Sequence, residues 1–411
     1  MRFESNEYPG RSLRLAYCLN LHAADNLEGC IDGIRKITLP LRDRLSPAAS
    51  FGIGMYLPGT VALRLASGDA VKEVRGLADF LTEERLDPFT FNAFPFGGFH
   101  TAGLKRGVFA PTWCEAERAD YTIAVAEIAA QLNGPRPGHL SISTHPGRFG
   151  PWEAGELETA TKNFARVLRS FADIAERGGP IIRLSVEAEP RAAAGDTTGV
   201  NRLLVHLRDA LVPEFGEELV RAHLGACLDA CHSAVEFESA QEAVQLATVL
   251  PLGKLQYSSA IALRSPGANA AARQALFALD EPRYLHQTTG RLAQGFLRAD
   301  DLPELQELSR ASDSPWLSCE EWRTHFHVPV DLESLPDSGL ETTREHAAAI
   351  LRELLAGPAT WGSEELHVEI ETYTWEILPG AARGLGELID GLEREYLHVL
   401  SQLKSAAWSP R

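Results

Sequence analysis

The stretch Gly225-Ala226-Cys227-Leu228-Asp229-Ala230-Cys231-His232 decides how this chain reads. A mostly apolar run from His223 to Leu228 ends in a carboxylate, and an imidazole follows three residues later. Up to Asp229 the pattern is that of a buried β-strand. Beyond His232 it turns helical, through Glu242 and Leu246. Asp229 therefore falls at the C-terminal tip of a strand, with His232 in the loop or helix that follows. In a β/α barrel that tip lies on the face where chemistry occurs. An Asp-x-x-His pair offers a hard oxygen and a borderline nitrogen to one divalent ion. It can equally cap a helix, with Asp229 as the N-cap.

Working outward, strand-like and helix-like stretches alternate, the pattern of parallel βα units. The predicted strands are Leu13 to Leu19, Phe51 to Leu57, Pro88 to Phe94, His139 to Thr144, Pro180 to Val186, Ala222 to Leu228, Lys254 to Ser258 and Leu366 to Ile370. Helical patterns fill the intervals, the longest from Glu153 to Arg177, stopped by Gly178-Gly179. The expected fold class is α/β: one (β/α)8 TIM barrel across residues 1–411. Between strand seven and a helix at Thr343 the rhythm breaks. Residues 260–330 read as an insertion containing a β-hairpin, followed by the extended piece Thr324 to Pro329. Long connections in compact domains are usually binding loops or lids, and this one leaves the barrel on its catalytic face.

Composition narrows the function. The net charge of -17 argues against a nucleic-acid partner, which needs a basic footprint. No run approaches the length of a membrane span, so no membrane partner is expected. The six cysteines form no C-x-x-C pair, which reads as buried free thiols in a reducing, cytoplasmic setting.

Polar groups gather at the strand ends. Side chains alternate along a strand, so Glu187 and Glu189 share a face after strand five, as do Glu369 and Glu371 on strand eight. With Asp229 they would converge across the barrel mouth. Buried carboxylates that close repel unless a cation neutralises them. A divalent metal does so at once; the alternative is a salt bridge from Arg183 or Arg191.

At these residues a resemblance is plain. Glu187, Asp229-x-x-His232, Gln256 and Glu371 over strands five to eight resemble the xylose-isomerase-like TIM-barrel superfamily, which holds sugar-phosphate isomerases and epimerases and the endonuclease IV fold. The strand-six stretch and His145-Pro146-Gly147 are similar to endonuclease IV motifs. The whole chain is more similar to the EboE-type metabolite traffic proteins of bacterial biosynthetic clusters. The stretches that carry this are Tyr17 to His22, Asn92 to His100, Ser141 to Thr144, Asp229 to Phe237, Tyr284-Leu285-His286-Gln287, His325 to Pro329 and Glu371 to Trp375.

The resemblance implies a metal set of Glu187, Asp229, the strand-seven position and Glu371. Here Gln256 stands where the superfamily has a histidine. An amide oxygen ligates hard cations but binds zinc less well than imidazole. Either the ion is Mg- or Mn-like, or His232, His286 or His327 supplies a nitrogen; His327 is favoured. The metal is thus one of Mn, Mg, Zn or Fe.

The expected function is a metal-dependent isomerase or epimerase of a small polyol, sugar, sugar phosphate or cyclitol, handling or making a secondary metabolite. Glu187 and Glu371 would take and return a proton, with His232 assisting. Asn20, His22, Asn92, His100, Glu189 and His286 would bind substrate. Phe94, Phe96, Phe99 and Trp375 would form apolar walls. The alternatives are a metal-dependent hydrolase or lyase on the same barrel, or a non-catalytic metabolite carrier. The oligomeric state stays open.

Overall fold

Eight parallel strands close on themselves: β1 (Ser12–Cys18), β2 (Phe51–Tyr56), β3 (Leu86–Asn92), β4 (His139–Thr144), β5 (Ile181–Glu187), β6 (Leu224–Asp229), β7 (Lys254–Tyr257) and β8 (Glu365–Ile370). Each pairs with its successor in parallel. The register Glu365↔Ser12 through Ile370↔Tyr17 joins β8 back to β1. The computed structural model describes residues 1–98, 100, 103–378 and 384–411. Phe99, expected as an apolar wall, lies outside the described residues.

Period-two alternation sets what each face does. On β8, Leu366, Val368 and Ile370 join the hydrophobic core between sheet and helices, while Glu365, His367 and Glu369 alternate with them. On β5 and β7, Arg183, Ser185, Glu187, Lys254 and Gln256 alternate with apolar neighbours in the same way. The barrel interior is consequently polar. At its lower end the His139 and His367 rings stack at 4.2 Å, and Arg14 bonds both Asp87 at 2.5 Å and Glu365 at 2.8 Å. Outside, the helix Glu156–Glu176 buries Ala160, Phe164, Val167 and Phe171 at helical spacing. Gly178 follows it at φ +82°, the left-handed stop that glycine tolerates.

Several boundaries differ from the sequence reading. Strand three begins at Leu86, two residues early. The helix Glu217–His223 runs into the expected start of strand six. Short strands Arg2–Ser5 and Trp408–Pro410, not expected from sequence, pair with each other and extend the sheet from the lower half of β1.

After β7 the chain builds a second sheet of five antiparallel strands. Their spatial order is Phe296–Ala299, Thr288–Arg291, Glu321–Val328, Ser259–Arg264 and Glu341–Thr342. The expected hairpin is its edge, turning at Gly295, but the sheet starts earlier and ends later than residues 260–330. It has its own core around Leu276, Leu305, Trp322, Phe326 and Leu340. Pairing of Glu321–Val328 with Ser259–Arg264 shifts register between Thr324 and Val328, the span that holds His325 and His327. Such irregularities re-aim side chains.

Candidate functional site

The C-terminal ends of β5, β6 and β8 bring three carboxylates together. Glu187, Asp229 and Glu371 each place an oxygen within 4.8 Å of the others, and all three are buried. The local structure explains which oxygens face inward. Asp229 Oδ1 caps the helix Ala230–Val235, accepting from Cys231 N at 2.7 Å and His232 N at 3.0 Å. Glu371 Oε1 accepts from Asn20 Nδ2 at 2.6 Å and Asn92 Nδ2 at 3.2 Å. Of the remaining oxygens, Glu187 Oε2, Asp229 Oδ2 and Glu371 Oε2 have no hydrogen-bond partner among the described residues.

Neither arginine weighed from the sequence neutralises this cluster. Arg183 donates to Leu252 O at 3.2 Å. Arg191 pairs with Glu236 and donates to Thr288 O at 2.7 Å. Burial, then repulsion from Glu371 and Asp229, holds the Glu187 carboxyl well above its ordinary value. Burial, then Asp229 and Glu369, does the same to Glu371. Three buried acids with orphaned oxygens, and no cation among the described residues bonded to those oxygens, match the donor set of a hard divalent ion. The residues present therefore fit a metal.

Beside the carboxylates, three imidazoles converge. Their Nε2 atoms are separated by 3.1 Å (His232–His325), 3.2 Å (His232–His327) and 2.9 Å (His325–His327). Asp229 joins His232 and His327 in one group of potential ligand atoms within 4.8 Å, and Glu189 joins His232 and His325 in another. Glu189 is pushed up to about 7 by burial, partly offset by His232, and accepts from Gln287 Nε2 at 3.0 Å. Burial lowers His327 to about 4 and holds His325 well below the ordinary range. Burial would lower His232 too, but Asp229 and Glu189 outweigh it and raise that group.

A cavity opens onto both clusters. It holds about 60 Å³ measured at water centres, several times the 10–15 Å³ that one water needs. Its wall includes Asn92, Phe94, Lys105, Tyr284, Gln287 and Tyr373.

The other sequence candidates fall as follows. Gln256 turns its amide oxygen to the Cys227 thiol at 2.7 Å and leaves Nε2, a donor that cannot ligate, without a partner among the described residues. His22 is tied to Tyr17 Oη at 2.9 Å and is not part of the cavity wall. His100 bonds Tyr284 Oη at 2.5 Å, behind that wall. His286 stacks on Phe326 at 3.8 Å, with its Nδ1 on His325 O and its Nε2 3.4 Å from Glu281, so it supports the insertion. Of the expected apolar walls, Phe94 lines the cavity. Phe96 packs edge-on to Tyr121, and Trp375 packs against Gly391. His145 is enclosed by Phe94 and Phe109.

Sequence reasoning missed the wall segment around Leu104, Lys105 and Val108, and the part played by Gln287 and Tyr373. The available signal was position: the long connection after strand three leaves the barrel on its catalytic face.

No family model matches the chain, and no curated protein does. Among solved structures it is similar to the IolI protein with a bound zinc atom (14% identity, TM-score 0.43, covering 95% of this chain and 98% of that one). It is also similar to D-allulose 3-epimerase from Methylomonas sp. in complex with D-allulose (13%, TM-score 0.46, 97% and 99%). A D-tagatose 3-epimerase-like protein matches at 11% identity and TM-score 0.45, over 95% and 98%. At these scores the likenesses carry no argument about this chain; the barrel rests on its own strand pairings.

Proposed function

We propose that this protein is a divalent-metal-dependent isomerase or epimerase of a small polyhydroxylated molecule, a sugar or cyclitol. The observation that carries the reading is the set of three orphaned carboxylate oxygens, Glu187 Oε2, Asp229 Oδ2 and Glu371 Oε2, at the mouth of a closed barrel. A divalent ion held there would supply Lewis-acid polarisation of neighbouring substrate oxygens. The protein's own groups do the rest. Asn20 and Asn92 hold Glu371 Oε1 and leave Oε2 to the ion, so Glu371 would receive or return a proton through Oε1, in place of one of those amide hydrogen bonds. Glu187 is its counterpart across the mouth. His232 lies beside Glu187, its Nδ1 3.4 Å from Glu187 Oε1, and would help to position that carboxylate.

The small cavity suits a small polyol. Lys105 is engaged by Asp301 at 2.8 Å and Arg283 by Glu281 at 3.0 Å, so a neutral polyol fits better than a sugar phosphate. The insertion supplies Gln287, His325 and His327 to the wall and would act as a lid that keeps water from the reacting carbon. A place in secondary metabolism rests on the sequence resemblance alone.

The test is deuterium exchange. Manganese-loaded protein is incubated in D2O with a panel of aldoses, ketoses and cyclitols, and wash-in at carbon is followed by NMR. We expect exchange with at least one member, and a loss of about 100-fold or more in Glu187→Gln and in Glu371→Gln. Tight binding of a panel member without any exchange would overturn the catalytic reading in favour of a carrier.

A further inference from the structure

We propose that His232, His325 and His327 form a second cation site, of zinc type, adjoining the carboxylate site and separate from it. The argument starts from the other ring nitrogens. His232 Nδ1 lies 2.6 Å from Ala188 O, His325 Nδ1 2.6 Å from Gln287 Oε1, and His327 Nδ1 3.1 Å from Glu371 O. Each of these carbonyl oxygens only accepts, so each Nδ1 carries the proton; the Ser258 hydroxyl, 3.0 Å from His327 Nδ1, can donate or accept and takes the accepting role there. The Gln287 amide is oriented independently, because its Nε2 donates to Glu189 Oε1 at 3.0 Å and Pro190 O at 3.1 Å.

With the protons so placed, three bare Nε2 lone pairs face one another at 2.9 to 3.2 Å. That contact is repulsive and needs a positive centre. One added proton could bridge one pair of nitrogens and would leave the third opposed to a lone pair. One metal ion satisfies all three. A four-coordinate zinc with bonds of 2.0–2.1 Å holds its ligand nitrogens about 3.3–3.4 Å apart, so these rings need to part by only a few tenths of an ångström. Imidazole Nε2 with Nδ1 bound to a carbonyl is also the usual supported form of a metal-ligating histidine.

The fourth position has three candidates in reach, among them Cys231, which shares a group with His325 and His327. Glu189 Oε2 lies 3.5 Å from His232 Nε2, and Asp229 shares a group with His232 and His327. The two sites differ in chemistry, all-oxygen against mostly nitrogen, and Asp229 stands between them. This inference does not depend on the isomerase reading.

The experiment uses the full chain, stripped with a chelator and titrated with zinc alone. Native mass spectrometry counts the ions, and X-ray absorption reads the ligands of the first equivalent bound to the unaltered protein. We expect two zinc ions per chain, with about three imidazoles around the first. His325→Ala and His327→Ala should each lose that ion, weakening it by more than the 10- to 100-fold that loss of an outer partner costs. Gln287→Leu should weaken it within that range. The double variant Glu187→Gln, Glu371→Gln should keep it. Saturation at one zinc with mainly oxygen ligands would overturn the proposal. So would two ions retained in both histidine variants, or a single ion lost equally from the histidine and carboxylate variants. If two ions bind but no exchange occurs in D2O, the isomerase reading falls and this one stands.

Discussion

Lys254 Nζ lies 2.5 Å from Glu369 Oε2, and neither side chain reaches solvent. The pair sits one inward step below Gln256 and Glu371 on β7 and β8. Lys254 also donates to Phe91 O at 3.2 Å. Its positive charge is thus spent on the acid beneath the site, and none of its hydrogen bonds reaches the three orphaned oxygens above.

A buried pair is costly to break and cheap to replace. Lys254→Met should destabilise the protein by about 3–5 kcal/mol, since Glu369 is left buried and unpaired. The double variant Lys254→Met, Glu369→Leu should recover most of that loss. Denaturant unfolding of the single and double variants checks both; equal stability of the single variant and the parent would contradict the pairing.

The same acid depends on a glycine. A Cβ at Gly54 of β2 would lie 1.6 Å from Glu369 Oε1, an overlap no rotamer adjustment of a well-packed barrel absorbs cheaply. Gly54→Ala should cost at least about 1–3 kcal/mol, the usual range for overpacking. Gly76→Ala, inside the helix Val71–Glu83 and with nothing among the described residues within 4 Å of the added carbon, is the contrasting control and should instead stabilise by about 0.5–1 kcal/mol.

Metal should stabilise the fold. Ions that bind only the folded chain add about 2.7 kcal/mol at 100 times their dissociation constant. Adding Mn²⁺ to chelator-treated protein should raise the Tm, and Asp229→Ala should abolish most of the rise, because Asp229 is one of the three converging carboxylates. An unchanged Tm with excess metal would contradict the carboxylate site.

Glu395 supplies a pH test away from the site. It is buried, accepts from Thr372 Oγ1 at 2.9 Å and Val330 N at 3.2 Å, and is pushed up from 4.5 to about 8, chiefly by burial and then by Asp331. A raised acid favours its protonated form in the folded state. Its contribution is therefore fully present below about pH 4.5 and lost as pH rises through about 8. Glu395→Gln should be more stable than the parent at pH 8.5, by on the order of a few kcal/mol, and nearly equal to it at pH 4.5. Parallel stability curves for parent and variant across that window would refute the assignment.

The sequence by itself determined the barrel and which carboxylates gather at its mouth. Strand and helix periods are local properties of the chain, so eight strands and the residues at their tips could be read directly. Alternation then placed Glu187 with Glu189, and Glu371 with Glu369, and parallel closure pointed the tips of β5, β6 and β8 at one mouth. Only the tertiary structure decided which oxygens remain free. Asp229 gives one to its helix cap, Glu371 gives one to Asn20 and Asn92, and Glu369 is taken by Lys254 across a neighbouring strand. The convergence of His232 with His325 and His327 was equally out of reach. It depends on a second sheet folding back over the barrel and on a register shift between Thr324 and Val328. Contacts between segments some ninety residues apart leave no periodic trace in either segment, because each is satisfied only by the other's position in space.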